Sequence, residues 1–281
     1  MSFAVSARTI GARMAFASAL LAFVVASGSV AFAQEKPTAA PDSAQVAGEP
    51  TVAAAASLRY ALDEIAARYT AETGKKVRIT FGATGNLVAQ IQNAAPFQAL
   101  FAADDKSVKK LASEGLTDGE PVVFAQGRLA VVAPVGSPVS VDPELKGLKA
   151  GIADGKAKHI SIANWETAPY GKAARQALEK AGALKEAEPL FVIGENVGQA
   201  ATFVSTGAAQ VGLIANSLAV SKEIAPKITS AVVPEDWHEP INHGLAVVKG
   251  ATPEAKAFVD FVRGPKGKEV LEANGFSVPN P

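Results

Sequence analysis

Four short segments place small residues where a helical pattern begins after a strand-like run. They are Ala56-Ser57-Leu58, Ala83-Thr84-Gly85-Asn86, Ala168-Pro169-Tyr170-Gly171 and Glu195-Asn196-Val197-Gly198. The first N–H groups of a helix lack an intrahelical partner, and that end carries about half a positive charge. Ser57 and Thr84 add hydroxyl donors, and the glycines let the backbone come close. Such turns can hold an anion without any Lys or Arg. Each also has a plainer reading. Ser57 alone is more often an N-cap than a ligand-binder, and a Gly-containing turn such as Thr84-Gly85 is common after a strand. Pro169 suits a helix start, Tyr170 alone is a core or surface aromatic, and Val197 alone carries no signal. Their number and even split, two in each half of the fold, favour an anion site.

The elements that must position these turns alternate short β-type runs with helical patterns, which predicts an α/β fold with mainly parallel sheets. Strands are expected at 51–55, 77–81, 99–102, 128–134, 191–193, 211–215 and 245–248. Helices are expected at 58–70, where Leu58, Leu62, Ile65 and Tyr69 share one face, and at 86–93, 104–114, 171–182, 198–206, 253–263 and 264–273. The stretch 231–240 reads as irregular. Two lobes connected twice are expected, residues 51–127 with 231–281 forming lobe I and 128–230 lobe II, with a ligand cleft between them.

The chain has 281 residues, 27 Lys+Arg balanced by 27 Asp+Glu, 6% aromatics and no cysteine. A neutral, aromatic-poor chain lacks the basic stripe of a nucleic-acid binder. Without cysteine there is no disulfide framework, thiolate metal site or Cys nucleophile. Residues 1–33 read as a secretory signal peptide: Arg8 and Arg13, an apolar run from Met14 to Ala26, then Ala31-Phe32-Ala33 before Gln34. Cleavage is expected between Ala33 and Gln34, and residues 34–50, with three prolines, read as a flexible leader.

From about residue 51 to 281 the chain resembles the periplasmic molybdate-binding protein (ModA) family of ABC importers. The stretches that carry the resemblance are AAAASLRYALDEIAARY, FGATGNLVAQIQNAAPF, ANWETAPYGKAARQAL, GENVGQAATFVSTGAAQVGLI, VPEDWHEPI and FVDFVRGPKGKEVLEANGF, in order and in register. The resemblance implies a two-lobed type II periplasmic-binding-protein fold around one tetrahedral oxyanion, molybdate or tungstate, carried as cargo and not as a cofactor. It implies a periplasmic monomer that delivers its cargo to an ABC transporter membrane permease. Carried over by position, Ser57 gives hydroxyl and backbone N–H, Thr84 a second hydroxyl, and Tyr170 and Val197 backbone N–H groups; molybdenum is met only as the bound oxyanion. Where some members have a tyrosine ligand this chain has Ala215, with Asn216 as a weak substitute. The strand 98–101 lacks the acidic residue usual in that segment.

Other candidates weigh less. His238 and His243 are five apart in a non-helical stretch, poor spacing for a metal and more consistent with surface or packing roles. Asp104-Asp105 reads as a helix N-cap followed by a first-turn acid. Lys106, Lys109 and Lys110 read as a solvated face. The rival functions are a receptor for another oxyanion, such as sulfate or phosphate, and an exported hydrolase. The hydrolase would need a nucleophile elbow with a partner histidine, and no serine has that setting; the chain is expected not to be an enzyme.

Overall fold

The computed structural model describes residues 49–279; the expected signal peptide and all but the end of the expected leader lie outside them. Among the described residues ten strands and ten α-helices follow one another. The first are β1 (Thr51–Ala55), α1 (Arg59–Thr73), β2 (Arg78–Gly82), α2 (Thr84–Gln92), β3 (Ala99–Phe101), α3 (Asp105–Ser113) and β4 (Val122–Gly127). Next come β5 (Leu129–Pro134), α4 (Lys146–Ala153), β6 (Ile160–Ala163), α5 (Pro169–Lys180), α6 (Leu184–Ala187), β7 (Phe191–Gly194) and α7 (Val197–Ser205). The last are β8 (Val211–Ala215), α8 (Asn216–Ala219), β9 (Ile228–Val232), β10 (Ile241–Val247), α9 (Pro253–Arg263) and α10 (Pro265–Ala273).

The strands form two five-stranded sheets, ordered β2-β1-β3-β10-β4 and β7-β6-β8-β5-β9. Each has two parallel and two antiparallel pairings, so the sheets are mixed and not mainly parallel as the alternation predicted. The cause lies in the two crossings. Only Arg128 separates β4 from β5, and β10 follows β9 without a helical crossover. A parallel neighbour needs a crossover of a dozen residues or more, so β5 and β10 enter the facing sheet antiparallel. The two strand orders match position for position, which makes β1 equivalent to β6 and β2 to β7.

The central parallel strands must be apolar on both faces. Val52–Ala55 of β1 and Ile160–Ala163 of β6 are buried along their length. Helix α1 covers its sheet through Leu62, Ile65 and Tyr69, and Tyr69 meets Phe258 and Phe261 edge-on at 5.4 and 5.3 Å. Burying each such side chain contributes about 1.5–3 kcal/mol.

Candidate functional site

The four turns singled out in the sequence all lie at carboxyl ends of parallel strands, where α/β sheets bind ligands. Ser57 follows β1 in a 3₁₀ turn, Ala56–Leu58, that runs into α1. Thr84 is the first residue of α2, Tyr170 the second of α5 and Val197 the first of α7. By the matched strand order, Ser57 and Tyr170 are equivalent across the lobes, as are Thr84 and Val197. The structure gathers all four around one small cavity, lined also by Ala55, Ala56, Gly82, Ala83, Ala103, Ala168, Pro169 and Asn196. No charged side chain lines it.

The donors are left free in a specific way. The Asn196 side chain caps α7 by accepting from Gly198 N–H and Gln199 N–H at 3.0 and 3.1 Å, which leaves the Val197 N–H uncommitted. At α5, Ala168 O accepts from Gly171 and Lys172 N–H, and among the described residues no backbone carbonyl accepts from Tyr170. The Thr84 hydroxyl accepts from Ala103 N–H at 3.0 Å, which leaves its own proton to donate elsewhere. A small ligand here meets several donors and no carboxylate.

Ser57 is different. Its Oγ lies 3.1 Å from Nε2 of His243, a histidine 186 residues away on β10. A register shift between His243 and Gly244 marks a bulge at this point of the strand, a device that re-aims side chains. The imidazole is fully buried among Phe124, Phe276 and Tyr170, with ring centroids 6.3, 5.0 and 6.0 Å away. Burial pushes its pKa down to about 4, against a smaller raising effect from the hydrogen bond to Ile241 O, so the ring is neutral at neutral pH. His243 is thus a packing residue, as expected, and also the partner of a site hydroxyl. A lone histidine in an irregular run gave no signal of that.

The Tyr170 side chain crosses from α5 into the other lobe. Its hydroxyl is buried without a hydrogen-bond partner; it approaches Ser57, and burial raises its pKa. Gly127, the last residue of β4, is what makes room: a Cβ there would sit 2.0 Å from the Tyr170 hydroxyl oxygen and 2.8 Å from His243 Cε1. The lobes also meet through Gly85 N–H donating to Thr167 O and the Ser217 hydroxyl donating to Ser57 O, each at 2.8 Å. Asn216 does not line the cavity; its amide nitrogen lies beside Gly275, 3.0 Å from where a Cβ would stand. Ala215, fully buried at the end of β8, brings no hydrogen-bonding side chain.

A wider space of about 190 Å³ shares Ala103, Ala168 and Pro169 with the small cavity and forms its vestibule. Across it Glu239 accepts from Lys106 of α3 and Lys172 of α5 at 3.0 and 3.1 Å, and these two ammonium groups hold its carboxyl below the usual range. Asp104 caps α3 by accepting from Ser107 N–H at 2.6 Å, as its sequence position predicts. Among the described residues no group of three or more His, Cys, Asp or Glu could hold a metal ion.

Two mixed α/β lobes with a charge-free, donor-lined cavity between them define a solute-binding protein. The sequence pattern of the family described as bacterial extracellular solute-binding protein matches residues 50–277. The molybdate-binding protein ModA of Azotobacter vinelandii is 38% identical over 235 residues, 83% of this chain and 91% of that protein. The structure titled Azotobacter vinelandii periplasmic molybdate-binding protein superposes with a TM-score of 0.75 at 30% identity, covering 83% of this chain and all of the other. The sulfate-binding protein SubI of Mycobacterium tuberculosis shares the fold, with a TM-score of 0.68 at 16% identity, over 83% of this chain and 88% of its own. The chain belongs to the bacterial extracellular solute-binding proteins, among the ModA proteins.

Proposed function

We propose that this protein captures molybdate, and tungstate with it, in the cavity between its lobes and hands it to an ABC importer permease, acting as a monomer in the periplasm. The observation that carries this reading is the ring of Ser57, Thr84, Tyr170 and Val197 around a small cavity without a charged side chain. An unpaired dianion in a dry site costs many kcal/mol. Charge-assisted hydrogen bonds of about 1.5–3 kcal/mol each and helix ends worth about 0.3–2 kcal/mol apiece offset that cost when several act together. Thr84 donates its hydroxyl proton, and Tyr170 and Val197 their backbone N–H groups. The names of the ModA relatives point to the same ligand.

Thermal unfolding with molybdate, tungstate, sulfate and phosphate tests the reading. Ligand at about 1,000 times its dissociation constant adds roughly 4 kcal/mol, and for a chain of this size that raises Tm by roughly 8–16 °C. The expected result is that rise with molybdate and tungstate and little change with sulfate or phosphate. A rise confined to sulfate or phosphate would keep the fold and overturn the ligand.

A further inference from the structure

The oxyanion reading requires donors, yet the Ser57 hydroxyl faces a ring nitrogen. His243 Nδ1 lies 3.3 Å from Ile241 O, a group that only accepts, and Nε2 lies 3.1 Å from Ser57 Oγ, which can donate or accept. Neutral imidazole carries one proton. With it on Nδ1, Nε2 takes the Ser57 hydroxyl proton and Ser57 offers the cavity only lone pairs, which repel an oxyanion. With it on Nε2, the ring donates to Ser57 Oγ and the Ser57 proton is free to turn to the anion. The first arrangement is held by one long contact of 3.3 Å; the second gives up that bond and sets the Nδ1 lone pair against Ile241 O, a cost that the new bond from Ser57 to the anion must offset. Among the described residues Tyr170 is the one other titratable side chain whose ring packs on the imidazole; its hydroxyl approaches Ser57 without a hydrogen bond of good geometry. Among the described residues no charged group competes for the choice.

Resting on the oxyanion reading, we propose that His243 is a positioning residue for anion capture, with its proton on Nδ1 in the unloaded protein and on Nε2 in the loaded one. With the cleft open, Nδ1 gives its proton to water and Nε2 takes one from water, so the ring is neutral before and after and no net proton is taken up. His243 thereby decides whether position 57 is an acceptor or a donor, and so whether the site favours a proton-bearing or a proton-free oxyanion.

The test is the ¹⁵N spectrum of the histidine rings of the protein without and with molybdate, His243 being assigned by its loss in His243→Gln. The proposal expects the protonated nitrogen to change from Nδ1 to Nε2 on loading. Molybdate binding with the proton still on Nδ1 overturns it and leaves the oxyanion reading standing. Absence of molybdate binding overturns both, and calorimetry on the same sample separates the two results. In the variants, His243→Phe, which offers Ser57 no donor, should weaken molybdate binding about tenfold, and His243→Gln, whose amide can donate, should stay within about threefold. Equal affinities for the two would contradict the donor role, and the wild-type spectrum decides the matter even where a variant fails to fold.

Discussion

Replacing Gly127 by alanine places a methyl group 2.0 Å from the Tyr170 hydroxyl oxygen, 2.8 Å from His243 Cε1 and 3.2 Å from Tyr170 Cζ. Overpacking of a close-packed interior costs about 1–3 kcal/mol. Here the clash joins β4 of one lobe to α5 of the other, so it is relieved by parting the lobes, and the cost falls on the ligand-closed state. Gly127→Ala should therefore weaken molybdate binding by about 5- to 150-fold, the range that 1–3 kcal/mol of coupling represents, while lowering Tm only modestly. Tyr170→Phe removes the atom in the closest contact. Alone it should be neutral or stabilising, because it deletes a buried hydroxyl that has no partner, and binding should persist because the Tyr170 contribution is its backbone N–H. The double variant should recover part of the affinity lost in Gly127→Ala, the His243 contact remaining. Isothermal titration of the four proteins closes the cycle. Purely additive losses would refute the reasoning that the added methyl acts by striking the Tyr170 hydroxyl.

Three further outcomes are expected. Ser57→Ala should weaken molybdate binding about tenfold or more, through loss of a hydrogen bond to a charged group; unchanged affinity by calorimetry would remove its hydroxyl from the site. His243 titrates near 6.5 when unfolded and at about 4 when folded, so the unfolded chain binds the extra proton and stability falls as pH drops from 6.5 towards 4. The loss approaches about 3 kcal/mol, and denaturant unfolding at each pH should show a flatter slope in His243→Gln. Glu239→Gln leaves Lys106 and Lys172 without their shared carboxylate at the mouth of the cleft. Stopped-flow association with molybdate should become faster at low ionic strength and converge with wild type at high salt, with affinity changed by less than about fivefold because exposed pairs are worth little.

Elements with an unbroken apolar run or a sustained helical period were legible in the sequence, and several others were not. The strands 51–55 and 211–215 and the helix Pro253–Arg263 stand where the residue pattern put them. Strands β4, β6 and β9 went unread for physical reasons. β9 is a half-exposed edge strand whose Thr229 and Ser230 break any apolar run. β4, at the edge of its sheet, ends in Gln126-Gly127, and in β6 a buried Ser161 interrupts the apolar run. Antiparallel insertion of β5 and β10 depends on how two lobes exchange strands, which no local pattern encodes. Of the site, the turns at Ser57, Thr84, Tyr170 and Val197 could be read because a helix start leaves a local signature. The direction of each donor could not: that Thr84 accepts from Ala103, that Asn196 caps α7, and that His243 meets Ser57 are all set by tertiary packing.

Diffraction from molybdate-loaded crystals at the molybdenum edge tests the central claim most directly, because the anomalous peak places the metal without reference to any assumed ligand. The account predicts one peak in the small cavity, its oxygens within hydrogen-bond reach of Thr84 Oγ1, Ser57 Oγ and the N–H groups of Tyr170 and Val197, with no Lys or Arg touching it. A peak in the vestibule between Lys106 and Lys172 would contradict capture by neutral donors.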